Sequence, residues 1–216
     1  MKCFFIKVFL LLLLSDCAFA QNKNSIRYIW SGELNPNALN AFKEKLRIAP
    51  EISELEFRQS AGAGGLASVI VKEVTALIGK RELKTFARGQ CASACAFLFL
   101  MGKKRTLLPS LGKTSTHLML HAVRDIKTGE INYGETDRVL KKISETSNGK
   151  FPLPMLEKIY EAKNYQGGIF ITREPVKTAN GKASVFFCSG EEATLKQACK
   201  SFSETKPEDF GILVSN

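Results

Sequence analysis

The chain has 216 residues, a net charge of +10 and a basic pI near 9.4. The length suits one domain with a real core. The basic residues are spread, with Lys103-Lys104-Arg105 and Lys141-Lys142 the densest runs, and no basic-aromatic motif accompanies them. A nucleic-acid partner is therefore not expected; the charge reads as a solvated basic surface.

The first twenty residues read as a secretory signal peptide. MKCFFIK supplies positive charge, VFLLLLL a short apolar run, and Ala18-Phe19-Ala20 the small residues of a cleavage site before Gln21. The run is too short to span a bilayer, which needs roughly 20 residues. The expectation is cleavage after Ala20, a periplasmic location, and one domain over 21–216. Four cysteines then remain: Cys91, Cys95, Cys188 and Cys199. In an oxidising compartment an even count points to disulfides, with local pairing, Cys91–Cys95 and Cys188–Cys199, preferred among three possibilities. A zinc site is the alternative, without the close CxxC pairs that would make it strong.

From residue 25 the chain alternates strand-like and helix-like segments. SIRYIW (25–30) reads as a strand, ALNAFKEKL (38–46) as a helix with Pro36 near its start, and ELEFRQ (54–59) as a second strand. SAGAGG (60–65) is a loop. LASVIVKEVTALIG (66–79) is a helix closed by Gly79, and ELKTFA (82–87) is a third strand leading into GQCASAC. ACAFLFLMG (94–102) is a buried helix, and KRTLLP (104–109) and THLMLHAV (116–123) are further strands. This order argues for an α/β fold, a parallel sheet with helices on both faces. The C-terminal third adds amphipathic helices at 134–147 and 152–163. A hairpin over GIFITREPVKTANGKASVFFC follows, with Asn180-Gly181 as a type I′ turn, then a short helix in EEATLKQACKSF.

Three features converge on chemistry. SAGAGG follows a strand, and its Gly64 and Gly65 let backbone N–H groups approach a ligand. Ser93 stands between a strand and an apolar helix. There it is either a nucleophile, with the Ala94 N–H joining an oxyanion hole, or a plain helix N-cap. Two histidines, His117 and His121, lie on one face of THLMLHAV, and His121 is nearer the strand's carboxyl end, where ligands gather in open α/β sheets. A structural histidine is the bland alternative; a metal pair lacks an adjacent acid, so no metal is expected. A glycine loop, a serine at a strand-to-helix turn and a histidine at a strand end, in that order, are what a serine hydrolase needs.

The stretch from SIRYIW to His121 resembles the proteolytic subunit of Clp protease and the wider Clp/crotonase superfamily. GQCASACAFLFLMG is similar to that family's nucleophile segment, with its serine at Ser93; LMLH is similar to the strand that its catalytic histidine ends, placing that residue on His121; the closing PEDFGIL is looser. The resemblance implies a crotonase-like β-β-α superhelical domain. It implies a Ser93–His121 pair and an oxyanion hole from Gly64 or Gly65 with Ala94. The family's third member, an aspartate before the closing segment, falls on Cys199, Lys200 or Ser201, none of them acidic; Asp209 and Asp125 are off the pattern. The functional expectation is an exported, ATP-independent serine peptidase or hydrolase acting on peptide or protein, without cofactor or ATPase partner, and as a homo-oligomer. The alternative is a catalytically silent binding or scaffold protein on the same fold. An acyl-CoA enzyme ranks third, since that chemistry does not need a Ser-His pair.

Overall fold

The computed structural model describes residues 25–62, 67–113, 115–192, 198–202 and 204–215. The predicted signal peptide lies outside them, as do Gly64, Gly65 and residues 193–197 of the short helix expected over 191–202. Of the described part, 191–192 and 198–199 are not helical and Lys200–Ser201 is a strand, so the expected helix does not form there.

The fold class is α/β, as the alternation of segments required. β1 (Ile26–Ser31), β2 (Ile52–Ser60), β3 (Lys84–Ala92) and β5 (His117–Leu120) run parallel, separated by α1 (Pro36–Ile48), α2 (Ala67–Arg81) and α3 (Ala94–Leu100). The sheet then turns antiparallel through β6 (Gly168–Thr178), β7 (Gly181–Cys188) and β8 (Lys200–Ser201). A short branch, β4 (Arg105–Leu107) with β9 (Ile212–Val214), pairs with the first half of β3. Between β5 and β6 lies α4 (Tyr133–Thr146), followed by α5 (Leu153–Leu156). No helix among the described residues is long and apolar enough to cross a membrane.

Local chemistry accounts for most boundaries. Asn35 caps α1, its side chain accepting from Ala38 N at 2.9 Å, with Pro36 in the first turn. Asn132 caps α4 in the same way, toward Glu135 N at 3.0 Å. α2 runs past Gly79 to Arg81, and the left-handed residue is Glu82, φ +50. Arg81 holds that end by donating to Leu46 O and Pro50 O. Segment 152–163 is not one amphipathic helix: after α5 it tightens into a 3-10 turn, Glu157–Glu161. In the hairpin, Thr178 pairs with Gly181, so the loop is Ala179–Asn180, one residue earlier than expected. The positive φ falls on Gly181, +113, and no type I′ turn forms.

One face of β1–β3 packs on the helices: Tyr28 and Trp30 meet Phe42 with ring centroids 4.8 and 5.6 Å apart, and Leu55, Phe57 and Ala87 join them in the core. The opposite face was expected to carry helices too. Instead it is covered by charge. Glu56, 2% exposed, accepts hydrogen bonds from Arg27, Arg58 and Arg88 at 2.8–3.0 Å, and Arg27 also bonds Glu54 and stacks over Phe86. Alternation on β2 placed these carboxylates away from the core, and cross-strand arginines neutralise them.

Candidate active site

β3 is longer than its sequence pattern. GQCA, expected as a turn, continues the strand because its second half finds a new partner. β3 pairs with β4 through Thr85, Phe86 and Ala87, then with β5 through Gln90, Cys91 and Ala92. Gly89, φ +75, sits at the switch, its N–H donating to Thr116 Oγ1 at 2.8 Å. The strand thereby delivers Ser93 to the edge of the β3–β5 pair, where its N–H donates to Met119 O at 2.9 Å.

Ser93 has φ +56 and ψ −126. That conformation is strained for any residue with a Cβ and is typical of functional sites. Its carbonyl starts α3, accepting from Phe97 N at 3.1 Å, but its hydroxyl makes no capping bond. The N-cap alternative needs that bond, so it does not account for a serine here. The sharp strand-to-helix turn instead places Ser93 in the wall of a cavity of about 700 Å³.

His121 follows the end of β5 and lines the same cavity, as do His117 and Met119 on its face. Gly168, φ +150, backs it: a Cβ there would stand 2.1 Å from Leu120 O and 3.3 Å from His121 Cα. The His121 ring stands edge-on to Tyr165 at 5.8 Å, and its Nδ1 lies 2.8 Å from Ala122 O. If Nδ1 carries the proton and donates it to that carbonyl, Nε2 keeps its lone pair for the cavity. Burial pulls the His121 pKa below its ordinary value; the Ala122 bond pushes the other way, and the Arg124 charge lowers it further. His117 is differently placed, Nδ1 against Ser115 O at 2.9 Å and its ring tilted beside Phe170, centroids 6.3 Å apart.

Asp125, the nearest acid in sequence, does not serve His121. Its Oδ1 accepts from Lys127 and Thr128 N–H in an exposed turn, bonds that hold its carboxyl below the usual range. Asp209 is likewise engaged with Lys206 N. The partner that Nδ1 does have is a backbone carbonyl.

Gly62 was not singled out by the sequence reading, although it belongs to SAGAGG. At φ +107 it leaves no room for a side chain beside the elbow: a Cβ would stand 2.9 Å from Ser93 Cβ and 3.4 Å from Ala94 N. Only the β2–β3 register, Ser60 opposite Cys91, brings it there. Ala94 opens α3, so its N–H is one of the four without an intrahelical acceptor.

The cysteines are paired locally, as expected. Cys91–Cys95 and Cys188–Cys199 are disulfides, with Cα separations of 5.2 and 4.5 Å, which removes the zinc alternative.

The chain is similar to a solved structure, the ClpP protease catalytic domain from Plasmodium falciparum. Identity is 18%, the match covers 68% of this chain and 76% of that one, and the TM-score is 0.49. No family model and no curated protein matches the sequence.

Proposed function

We propose that this protein is an ATP-independent serine hydrolase of peptidase type. The observation that carries the reading is the Ser93 elbow: a left-handed, uncapped serine at a strand-to-helix turn, lining one cavity with His121. Ser93 Oγ attacks a carbonyl carbon while His121 Nε2 takes its proton. The Ala94 N–H, beside Gly62, receives the developing oxyanion, and the imidazolium gives the proton to the departing group, leaving an acyl ester on Ser93. Water, deprotonated by His121, then attacks that ester, the acid departs and Ser93 Oγ regains its proton. The apolar cavity wall, from Val71, Phe97, Met119 and Val139 among others, favours an apolar group next to the scissile carbonyl. Both disulfides are compatible with an exported protein working in an oxidising compartment. Assembly as a homo-oligomer belongs to the same proposal and is read by light scattering.

A second reading has its own observation. The carbonyl that meets His121 Nδ1 orients the ring but offers no charge to stabilise an imidazolium, and the Arg124 charge opposes one. A binding protein that keeps the cavity without turnover has this arrangement too. Fluorophosphonate labelling of the purified, oxidised protein separates the two. Labelling that vanishes in both Ser93→Ala and His121→Ala supports the hydrolase; no labelling of a folded wild-type chain favours the binder.

A further inference from the structure

Cys91 is the penultimate residue of β3 and Cys95 the second residue of α3, so their bond closes a ring of five residues with Ser93 at its centre. Both cysteines are fully buried. A disulfide stabilises a fold by restricting the unfolded chain, and that effect is smallest for the shortest rings. Cys188–Cys199, at a separation of 11, closes a longer one. Global stability is therefore a poor reason for the first bridge. Its local effect is large: it joins the two elements whose junction is the strained residue. The hydrogen bonds at that junction are single ones, Ser93 N–H to Met119 O and Phe97 N–H to Ser93 O, and Gly62 lies close enough that a Cβ there would collide with Ser93. Backbone strain persists only where the surroundings over-determine it.

We infer that Cys91 and Cys95 are positioning residues: their covalent bridge holds Ser93 at φ +56, in the wall of the cavity it shares with His121 and with its carbonyl at the head of α3. This rests on the serine hydrolase reading for its catalytic consequence, but not for its structural one. Without the bridge, Ser93 relaxes toward ordinary backbone conformations, and the hydroxyl and the Ala94 N–H lose their common aim. The disulfide acts on the attack step and not on the cavity.

Two double variants test this in the full-length protein: Cys91→Ala/Cys95→Ala, and Cys91→Val/Cys95→Ala, which restores volume without the bond. Cys188→Ala/Cys199→Ala is the control. The rate of fluorophosphonate labelling and the hydrogen exchange of the Ser93 amide are read together, with kcat and KM on an activated ester. The expected result is labelling at least tenfold slower and Ser93 exchange at least tenfold faster in both Cys91/Cys95 variants. The loss falls on kcat with KM within about twofold, and the control stays within twofold of wild type. Wild-type rates in the valine variant overturn the proposal, because packing alone then suffices. Failure of both variants to fold also overturns it, since the bond then serves the whole fold. If wild type itself is not labelled, the hydrolase reading falls, and the exchange of the Ser93 amide alone decides whether the bridge holds the elbow.

Discussion

Replacing Ser93 by glycine is expected to make the protein more stable, which is unusual for a half-buried residue. A residue with a Cβ held at φ +56 and ψ −126 carries strain of about 1–3 kcal/mol. Glycine relieves it but loses more backbone entropy on folding, about 0.5–1 kcal/mol. The hydroxyl makes no capping bond, so its removal forfeits little. The balance favours Ser93→Gly by about 1 kcal/mol, a rise in Tm of about 2–4 °C for a chain of this size. Ser93→Ala keeps the strain and should lie within about 0.5 kcal/mol of wild type, whereas loss of a true serine N-cap costs about 1. The assay is calorimetric or urea unfolding of the three oxidised proteins, with labelling absent from both variants. If Ser93→Gly is no more stable than Ser93→Ala, the elbow is not strained. If Ser93→Ala alone costs 1 kcal/mol or more, the serine is a cap after all. Either result refutes the reasoning.

Gly62→Ala should cost about 2–4 kcal/mol and slow labelling at least tenfold. Its Cβ combines a left-handed φ with a collision at Ser93, and unfolding with labelling checks both. The acid limb of the labelling rate should have its midpoint below the ordinary histidine value of 6.5, because His121 stays neutral further into acid when folded; a midpoint at or above 7 contradicts this. Stability moves the same way with pH. The unfolded histidine takes its proton near pH 6.5 while the folded one resists, so His121 disfavours the fold progressively as pH falls below 6.5 toward its folded value. Glu56→Gln should destabilise by about 2 kcal/mol, read by urea unfolding. That is less than for a fully buried pair, because its three arginines keep 19–31% of their side-chain exposure. Burial opposes the charge on Glu56, but the bonds from Arg58, Arg88 and Arg27 outweigh it and hold its pKa low. The stability it contributes is therefore present above the ordinary carboxylate range and lost as pH falls through the folded value.

Much of the fold was legible because local signals agreed with the tertiary answer. The strands SIRYIW and ELEFRQ, the helix begun by Asn35 and Pro36, and the buried AFLFL helix each carry their own periodicity or cap. What failed to read locally had a distant cause. GQCA looked like a turn because glycine and alanine carry no strand preference; pairing with His117, Leu118 and Met119 makes it a strand. The second face of the sheet was assigned helices because strand alternation says which residues point away from the core and nothing about what covers them. The hairpin loop fell one residue early because the ladder between β6 and β7 outweighs the preference of Asn-Gly for its own turn.

For the candidate site, the sequence by itself determined the ingredients and their order: a glycine-rich loop, a serine between cysteines, a histidine after an apolar strand, and cysteines spaced for local bridges. Only the tertiary structure decided the rest. The β2–β3 register set Gly62 beside Ser93, the β3–β5 register set the elbow beside Met119, and the end of β5 left His121 with a carbonyl at its Nδ1. The physical reason is range. Propensity, capping and turn chemistry act over a few residues, whereas the Gly62–Ser93 approach and the Ser93–Met119 bond join residues about thirty apart whose meeting depends on how each strand slides against its neighbour.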